Sequence, residues 1–240
     1  MDSPQTRPVL PTYEETLARI PELAREVFPA MRRYTPHWCG VRLKKYPNDL
    51  MAYQQIIYKL RPQVIVECGT KYGGSALFFA HMMDLAGYEG QVVTIDTKNS
   101  IIAKKPGLPD HPRITYLSGS SVDPDILELV GKIVKGKTCM VSLDSDHRWR
   151  HVYRELRAYH KFVSPGQYLV CEDTVLDRYQ VSRYLWNNQG PNRALTRFLK
   201  THGKFYKEGP WERRFLLTVA PGGWLAKRKT KTKRISHHNV

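Results

Sequence analysis

From Gln63 onward the chain alternates apolar runs of strand length with stretches of helical spacing. VIVEC, QVVTID, RITYLSG, TCMVSLD and GQYLVCED read as strands, and GGSALFFAHMMDLAG, DPDILELVGKIV and RWRHVYRELRAYHKFV read as helices. Continuous rather than alternating apolar runs mean strands covered on both faces, as in a parallel sheet. Strand–helix alternation then predicts a doubly wound α/β fold. After Asn192 comes a further helix, NRALTRFLKTHG, followed by two strand-like pieces, KFYKEG and RRFLLTVAP, placed to form an antiparallel hairpin. Such a hairpin closing a parallel core is, by analogy with known folds, the pattern of methyltransferases rather than dehydrogenases. The predicted architecture is therefore Rossmann-like: a mostly parallel seven-stranded sheet, a C-terminal antiparallel hairpin and helices on both faces. Upstream, residues 12–34 have helical spacing broken at Pro21 and Pro29, and Asn48 is placed to cap a helix running to about Leu60.

These shifts divide the chain into an N-terminal helical or lid segment (1–47), a catalytic domain (48–225) and a basic tail (226–240). The tail carries Lys227, Arg228, Lys229, Lys231, Lys233 and Arg234 without an acid, which predicts a solvated end. Apolar residues at 41% and charged residues at 25% argue against disorder for the body. No apolar run is long enough to cross a membrane, and MDSPQTRPVLPTYEE lacks the basic and apolar regions of a secretory signal. A cytoplasmic location is expected. Cys39, Cys68, Cys139 and Cys171 are too scattered for a zinc pair, and the last three fall in or beside apolar runs, which predicts buried, reduced thiols. The net charge of +16 points to an anionic partner, with RNA the macromolecular alternative.

Candidate chemistry lies where the strands end. The first strand runs into Glu67-Cys68-Gly69-Thr70-Lys71-Tyr72-Gly73-Gly74-Ser75, a glycine-rich turn that lets the backbone approach a ligand. It lacks G-x-G-x-x-G spacing, which counts against NAD. The second strand ends in Asp96, suited to accept from two ribose hydroxyls. Ser120 and Ser121 end the third, where they either contact an adenine or cap the helix beginning at Asp123. The fourth strand ends Leu143-Asp144-Ser145-Asp146-His147 and the fifth ends Cys171-Glu172-Asp173-Thr174. Carboxylates converging at one sheet edge repel one another unless protons, cations or a metal compensate. Asp144, Glu172 and Asp173 are the metal-ligand candidates, and hard oxygen donors favour Mg²⁺. His147 is the candidate base for a hydroxyl proton; Asp146 and His151 read as helix-capping and structural residues respectively.

The stretch from about Trp38 to Asp173 resembles the cephalosporin hydroxylase-like family, whose members look like metal-dependent class I O-methyltransferases. The resemblance is carried by YPNDLMAYQQIIYKLRPQVIVECGTKYGGSALFFA, HPRITYLSGSSVDP, LDSDH and SPGQYLVCEDT. It implies S-adenosylmethionine near Glu67, Gly69, Ser75, Asp96 and Ser121, within a cofactor site that also draws on Thr70, Tyr72, Gly73, Ser120 and Asp144. It implies a metal at Asp144, Glu172 and Asp173. The Asp144–His147 spacing also resembles catechol-type O-methyltransferases, where a lysine stands in place of the histidine. Family acceptors include sugars, polyketides and other secondary metabolites, so the expected substrate is a small hydroxylated molecule; three protein oxygens would leave open positions on an octahedral ion for two vicinal hydroxyls, one of which takes the methyl group. TPHWCGVRLKKYP and the loop from Leu176 to Pro191, with Tyr179, Tyr184 and Trp186, are expected to line its pocket. Exposed aromatics at both ends of the chain point to a homo-oligomer. An iron oxygenase built on Asp144, His147 and His151 is the oxidoreductase alternative, disfavoured because the strand ends supply carboxylates rather than a two-histidine set.

Overall fold

The computed structural model describes residues 10–31, 33–97, 107–181 and 189–229. Its centre is a seven-stranded sheet assembled from β3 (Val64–Cys68), β4 (Gln91–Asp96), β5 (Ile114–Ser118), β6 (Cys139–Leu143), β7 (Tyr168–Cys171), β8 (Tyr206–Glu208) and β9 (Trp224–Lys227) in the order β5-β4-β3-β6-β7-β9-β8. β3 to β7 pair in parallel, and β9 runs antiparallel to both β7 and β8. A separate small hairpin is formed by β1 (His37–Trp38) and β2 (Val41–Arg42).

The helices are α1 (Tyr13–Ala18), α2 (Ile20–Met31), α3 (Pro47–Leu60), α4 (Gly74–Leu85), α5 (Pro124–Val134), α6 (Trp149–Tyr159), α7 (Val175–Arg178), α8 (Pro191–His202) and α9 (Trp211–Phe215). Strand periodicity sends alternate side chains to opposite faces. Ile65 therefore packs with Tyr53, Ile56, Phe79 and Met83 of α3 and α4, while Val64, Val66 and Cys68 join Val130, Val152, Leu156 and Phe198 of α5, α6 and α8. Both faces are covered, as the apolar runs predicted. Cys68, Cys139 and Cys171 are buried and Cys39 is exposed. No helix among the described residues is long and apolar enough to cross a membrane.

Several local readings are corrected. The antiparallel pair at the sheet edge is present, but RRFLLTVAP is not its second strand. Arg213–Phe215 end helix α9, Leu216 has φ +63, and the pairing strand is Trp224-Leu225-Ala226-Lys227. Ala226 and Lys227 thus belong to the sheet rather than the tail, and the Lys227 ammonium donates to the carbonyls of His160 and Val163. The cap of α3 is Tyr46, with Pro47 in the first turn, where a missing N–H costs nothing. Asn48 instead donates to the carbonyls of Phe215 and Leu217. Pro21 sits in the first turn of α2, where proline is tolerated; Pro29 lies inside α2, which nevertheless continues to Met31.

Candidate active site

The strand order reverses at β3, which has β4 on one side and β6 on the other, and ligands in open α/β sheets bind at the carboxyl edge beside such a switch. In register, Cys68 stands beside Leu143 and Leu143 beside Cys171. The residues after them, Gly69, Asp144 and Glu172, therefore emerge along one edge. Gly69 makes this possible. Its φ is +105, and a Cβ there would collide with the carbonyl oxygen of Asp144. The Asp144 amide also donates to the Cys68 carbonyl at 2.8 Å.

A cavity of about 870 Å³ opens over this edge. Its lining includes Gly69, Thr70, Tyr72, Ser75, Asp96, Ser120 and Ser121, all expected from the sequence. Asp96 is fixed by the backbone, accepting from the amides of Lys71 and Thr97 at 2.8 Å each. The Ser121 hydroxyl donates to Glu155 at 2.5 Å, and the Ser145 hydroxyl donates to the same oxygen at 2.6 Å. His151 lines the cavity too, its Nε2 3.1 Å from the Ser121 hydroxyl. Its interaction with Glu155 lifts its pKa above the ordinary imidazole value, although burial opposes the charge.

Glu67 and Gly73 lie outside the cavity lining. Gly73 takes a left-handed conformation as the N-cap of α4, with φ +76. Glu67 is buried beneath the turn. One oxygen accepts from Thr94, whose hydroxyl is 2.8 Å from that of Thr70, and the other has no partner among the described residues. Burial pushes its carboxyl up to about 7, against the pull of Lys45.

In the same cavity Asp144, His147 and Asp173 converge, each offering one ligand atom within 4.8 Å of the others. His147 Nε2 is 3.2 Å from Asp173, and its side chain is 40% exposed. Asp173 reaches it from a sharp turn after β7, where its φ of +57 lies in the left-handed region that Asp tolerates better than most residues. Glu172, expected beside them, faces inward. Its side chain is 3% exposed and accepts from Tyr53 at 2.6 Å and Ser142 at 2.7 Å. Asp146 serves locally, accepting from the amide and guanidinium of Arg148.

The residue missed in the sequence is Lys45. Its side chain is 1% exposed, and its ammonium lies 2.5 Å from Asp144 and 2.8 Å from Glu172. The chain passes directly over the start of α4 here, because Gly74 leaves room for the backbone of Arg42 and Leu43 where a Cβ would clash. Burial disfavours the ammonium, yet Asp144, Glu172 and Glu67 together hold its pKa above the ordinary lysine value. Conversely, burial raises the carboxyls of Asp144 and Glu172, with Lys45 pulling both down. The one signal in the sequence was the need of clustered acids for a cation, which did not distinguish Lys45 from its neighbour Lys44. The TPHWCGVRLKKYP segment does line the cavity, through Pro36, Arg42, Lys44, Lys45, Tyr46 and Pro47. Of the second expected wall, Leu176 reaches the cavity, next to Val175 just before it, and Tyr179 turns to Glu212, while Tyr184 and Trp186 lie outside the described residues.

The profile of the family described as Rhamnosyl O-methyltransferase/CmcI matches residues 31–228. The chain is 33% identical over 192 residues to a rhamnosyl O-methyltransferase of Mycobacterium bovis (strain BCG / Pasteur 1173P2), covering 78% of this chain and 76% of that one. The fold matches an apo-structure of CmcI-N160 with a TM-score of 0.62 at 20% identity, covering 96% of this chain and 88% of that one. It also matches a structure of cmcI-D160 with Mg and SAM at 0.60 and 19%, covering 82% and 77%. The chain belongs to the rhamnosyl O-methyltransferase/CmcI family and is an O-methyltransferase with the class I, S-adenosylmethionine-dependent fold.

Proposed function

We propose that the protein transfers a methyl group from S-adenosylmethionine to one hydroxyl of a vicinal pair on a glycosyl unit, of the rhamnosyl kind, with a divalent cation at the carboxylates of the cavity. The observation that carries this reading is the meeting of Asp144, His147 and Asp173 in the same cavity that the glycine turn and Asp96 line. In it Asp96 would hold the cofactor's ribose, and Ser120 and Ser121 would border its adenine. The cavity falls within the size range of small-molecule sites, and Tyr34, Tyr46 and Tyr72 offer ring surface to a sugar.

Asp144 and Asp173 would supply hard oxygens of the kind Mg²⁺ takes, whereas the His147 nitrogen suits a transition ion better and, with Mg²⁺ bound, is left for proton transfer. Glu172, the expected third carboxylate, joins them only if Lys45 releases it. A cation bound there supplies Lewis acidity that lowers the pKa of a hydroxyl. Asp173 orients the imidazole of His147, and where His147 is not itself a ligand it takes the hydroxyl proton. The acceptor oxygen forms its bond to the methyl carbon as the carbon–sulfur bond breaks, and S-adenosylhomocysteine leaves with the electron pair. Lys45 keeps Asp144 and Glu172 charged and fixed throughout.

The test is methyl transfer from isotopically labelled cofactor to a rhamnoside, compared with analogues in which the neighbouring hydroxyl is removed, with Mg²⁺ and with a chelator. Transfer that needs both the second hydroxyl and the cation is the expected result. Equal turnover of the mono-hydroxyl analogue under chelation removes both the metal and the diol from the reading.

A further inference from the structure

Lys45 apart, the carboxylate site uses little of the charge of +16, and part of the rest collects on one face. α6 carries Arg150, Arg154 and Arg157 at i, i+4 and i+7, and α8 carries Arg193, Arg197 and Lys200 at the same spacing. Residues so spaced share one side of a helix, and all of these are exposed. The two helices pack side by side and run the same way. At their first turns the Arg193 guanidinium lies 4.5 Å from the Trp149 ring centroid, and at their ends the rings of His160 and His202 are 4.6 Å apart. The cationic rows are therefore neighbours. No acid reaches this face from either helix: α8 has none, and the acid of α6, Glu155, is buried under Ser121 and Ser145. Phe205, 45% exposed, follows α8 with the Lys204 ammonium 5.1 Å from its ring.

We propose that this face of α6 and α8 docks the enzyme on an anionic lipid bilayer. Two parallel helices make a broad surface of like charge, and lipid headgroups of opposite sign present a plane to it. Half-buried aromatics among cations, with an exposed Phe at the edge, suit the interfacial zone of a membrane. Single-stranded RNA fits less well, because its bases need open aromatic faces. Here Arg193 stands over Trp149, and Arg197 lies 5.1 Å from the Tyr153 centroid. A second copy of the chain fits less well still, since a two-fold contact would set cations against cations. The docked face would border the cavity, because α6 begins immediately after Arg148, which lines it together with His147 and His151.

The experiment is co-sedimentation of the full chain with vesicles of phosphatidylcholine alone or with about 30 mol% phosphatidylglycerol, at low and high salt. Binding only to the anionic vesicles, weakened by salt, is expected. At about fivefold per surface cation, Arg154→Gln with Arg197→Gln weakens it about 25-fold, and Arg154→Glu with Arg197→Glu weakens it further. Arg25→Gln with Lys59→Gln, an equal change of charge on other exposed helix positions, stays within about threefold of wild type. Thermal midpoints for all variants confirm that they fold. Equal binding to neutral vesicles, or equal loss in the Arg25/Lys59 pair, overturns the proposal. So does RNA binding that the face variants abolish while vesicle binding survives, or vesicle binding that depends on residues 230–240 and not on the face.

Discussion

Replacing Lys45 with Met keeps the length and apolar stem of the side chain and removes its charge. Asp144 and Glu172, which share the ammonium at 2.5 and 2.8 Å, are then left without their cation, with Glu67 nearby. Removing one partner of a buried ion pair costs about 3–5 kcal/mol, because the other charge stays buried and uncompensated. For a chain of this size each kcal/mol moves the thermal midpoint by about 2–4 °C, so Lys45→Met is expected to melt about 6–20 °C lower near neutral pH. The pH dependence follows from the sign of the shifts. Asp144 and Glu172 already sit above the ordinary carboxylate range through burial, and loss of Lys45 raises them further. A carboxyl whose folded pKa exceeds its unfolded value costs stability above the unfolded value, and the cost disappears as pH falls below it. The deficit of the variant should therefore shrink from pH 8 toward pH 5, read by circular dichroism melts of both proteins at each pH. A midpoint within about 2 °C of wild type near neutrality, or a deficit that does not change with pH, refutes the reasoning about Lys45 as a charge clamp.

Asp96→Ala should weaken S-adenosylmethionine binding about 10- to 100-fold by calorimetry, since it removes charged hydrogen bonds, whereas Asp144→Ala should retain most of the affinity. Wild-type affinity in Asp96→Ala removes the ribose assignment. Gly69→Ala should lower both the thermal midpoint and cofactor affinity, because the new methyl strikes the Asp144 carbonyl at a φ of +105 and forces β3 and β6 apart; an unchanged midpoint shows that the edge is not so tightly closed. Glu67→Gln tests the carboxyl that burial raises to about 7. In the wild type this group loses stability as pH rises from its unfolded value near 4.5 toward 7, so the variant should gain on wild type across that window in urea titrations, and a constant difference across it counts against a buried, late-ionising Glu67.

The sequence by itself determined the sheet and most of the cavity lining, because those depend on local periodicity. Apolar runs as short as VIVEC and CMVSL, flanked by turn residues and followed by helical spacing, read as strands buried on both sides, and parallel strands of one sheet end along one edge. That places Gly69, Asp96, Asp144 and Asp173 near one another from the order of the residues alone. Turn chemistry was legible for the same reason: Gly69 and Gly73 stand where the backbone must be left-handed. The edge strand was not. Phe215-Leu216-Leu217 looks as apolar as Trp224-Leu225-Ala226, and only the long-range pairing of β9 with β7 and β8 selects the latter. What the tertiary structure alone decided is which acids face the cavity and which are already satisfied. Glu172 and Asp173 are adjacent in the chain, yet one turns to Tyr53, Ser142 and Lys45 and the other to His147. Their division depends on Lys45, which lies far from both in the chain. A charge that compensates buried carboxylates leaves no local pattern, because Coulomb attraction depends on distance in space and not on separation along the sequence.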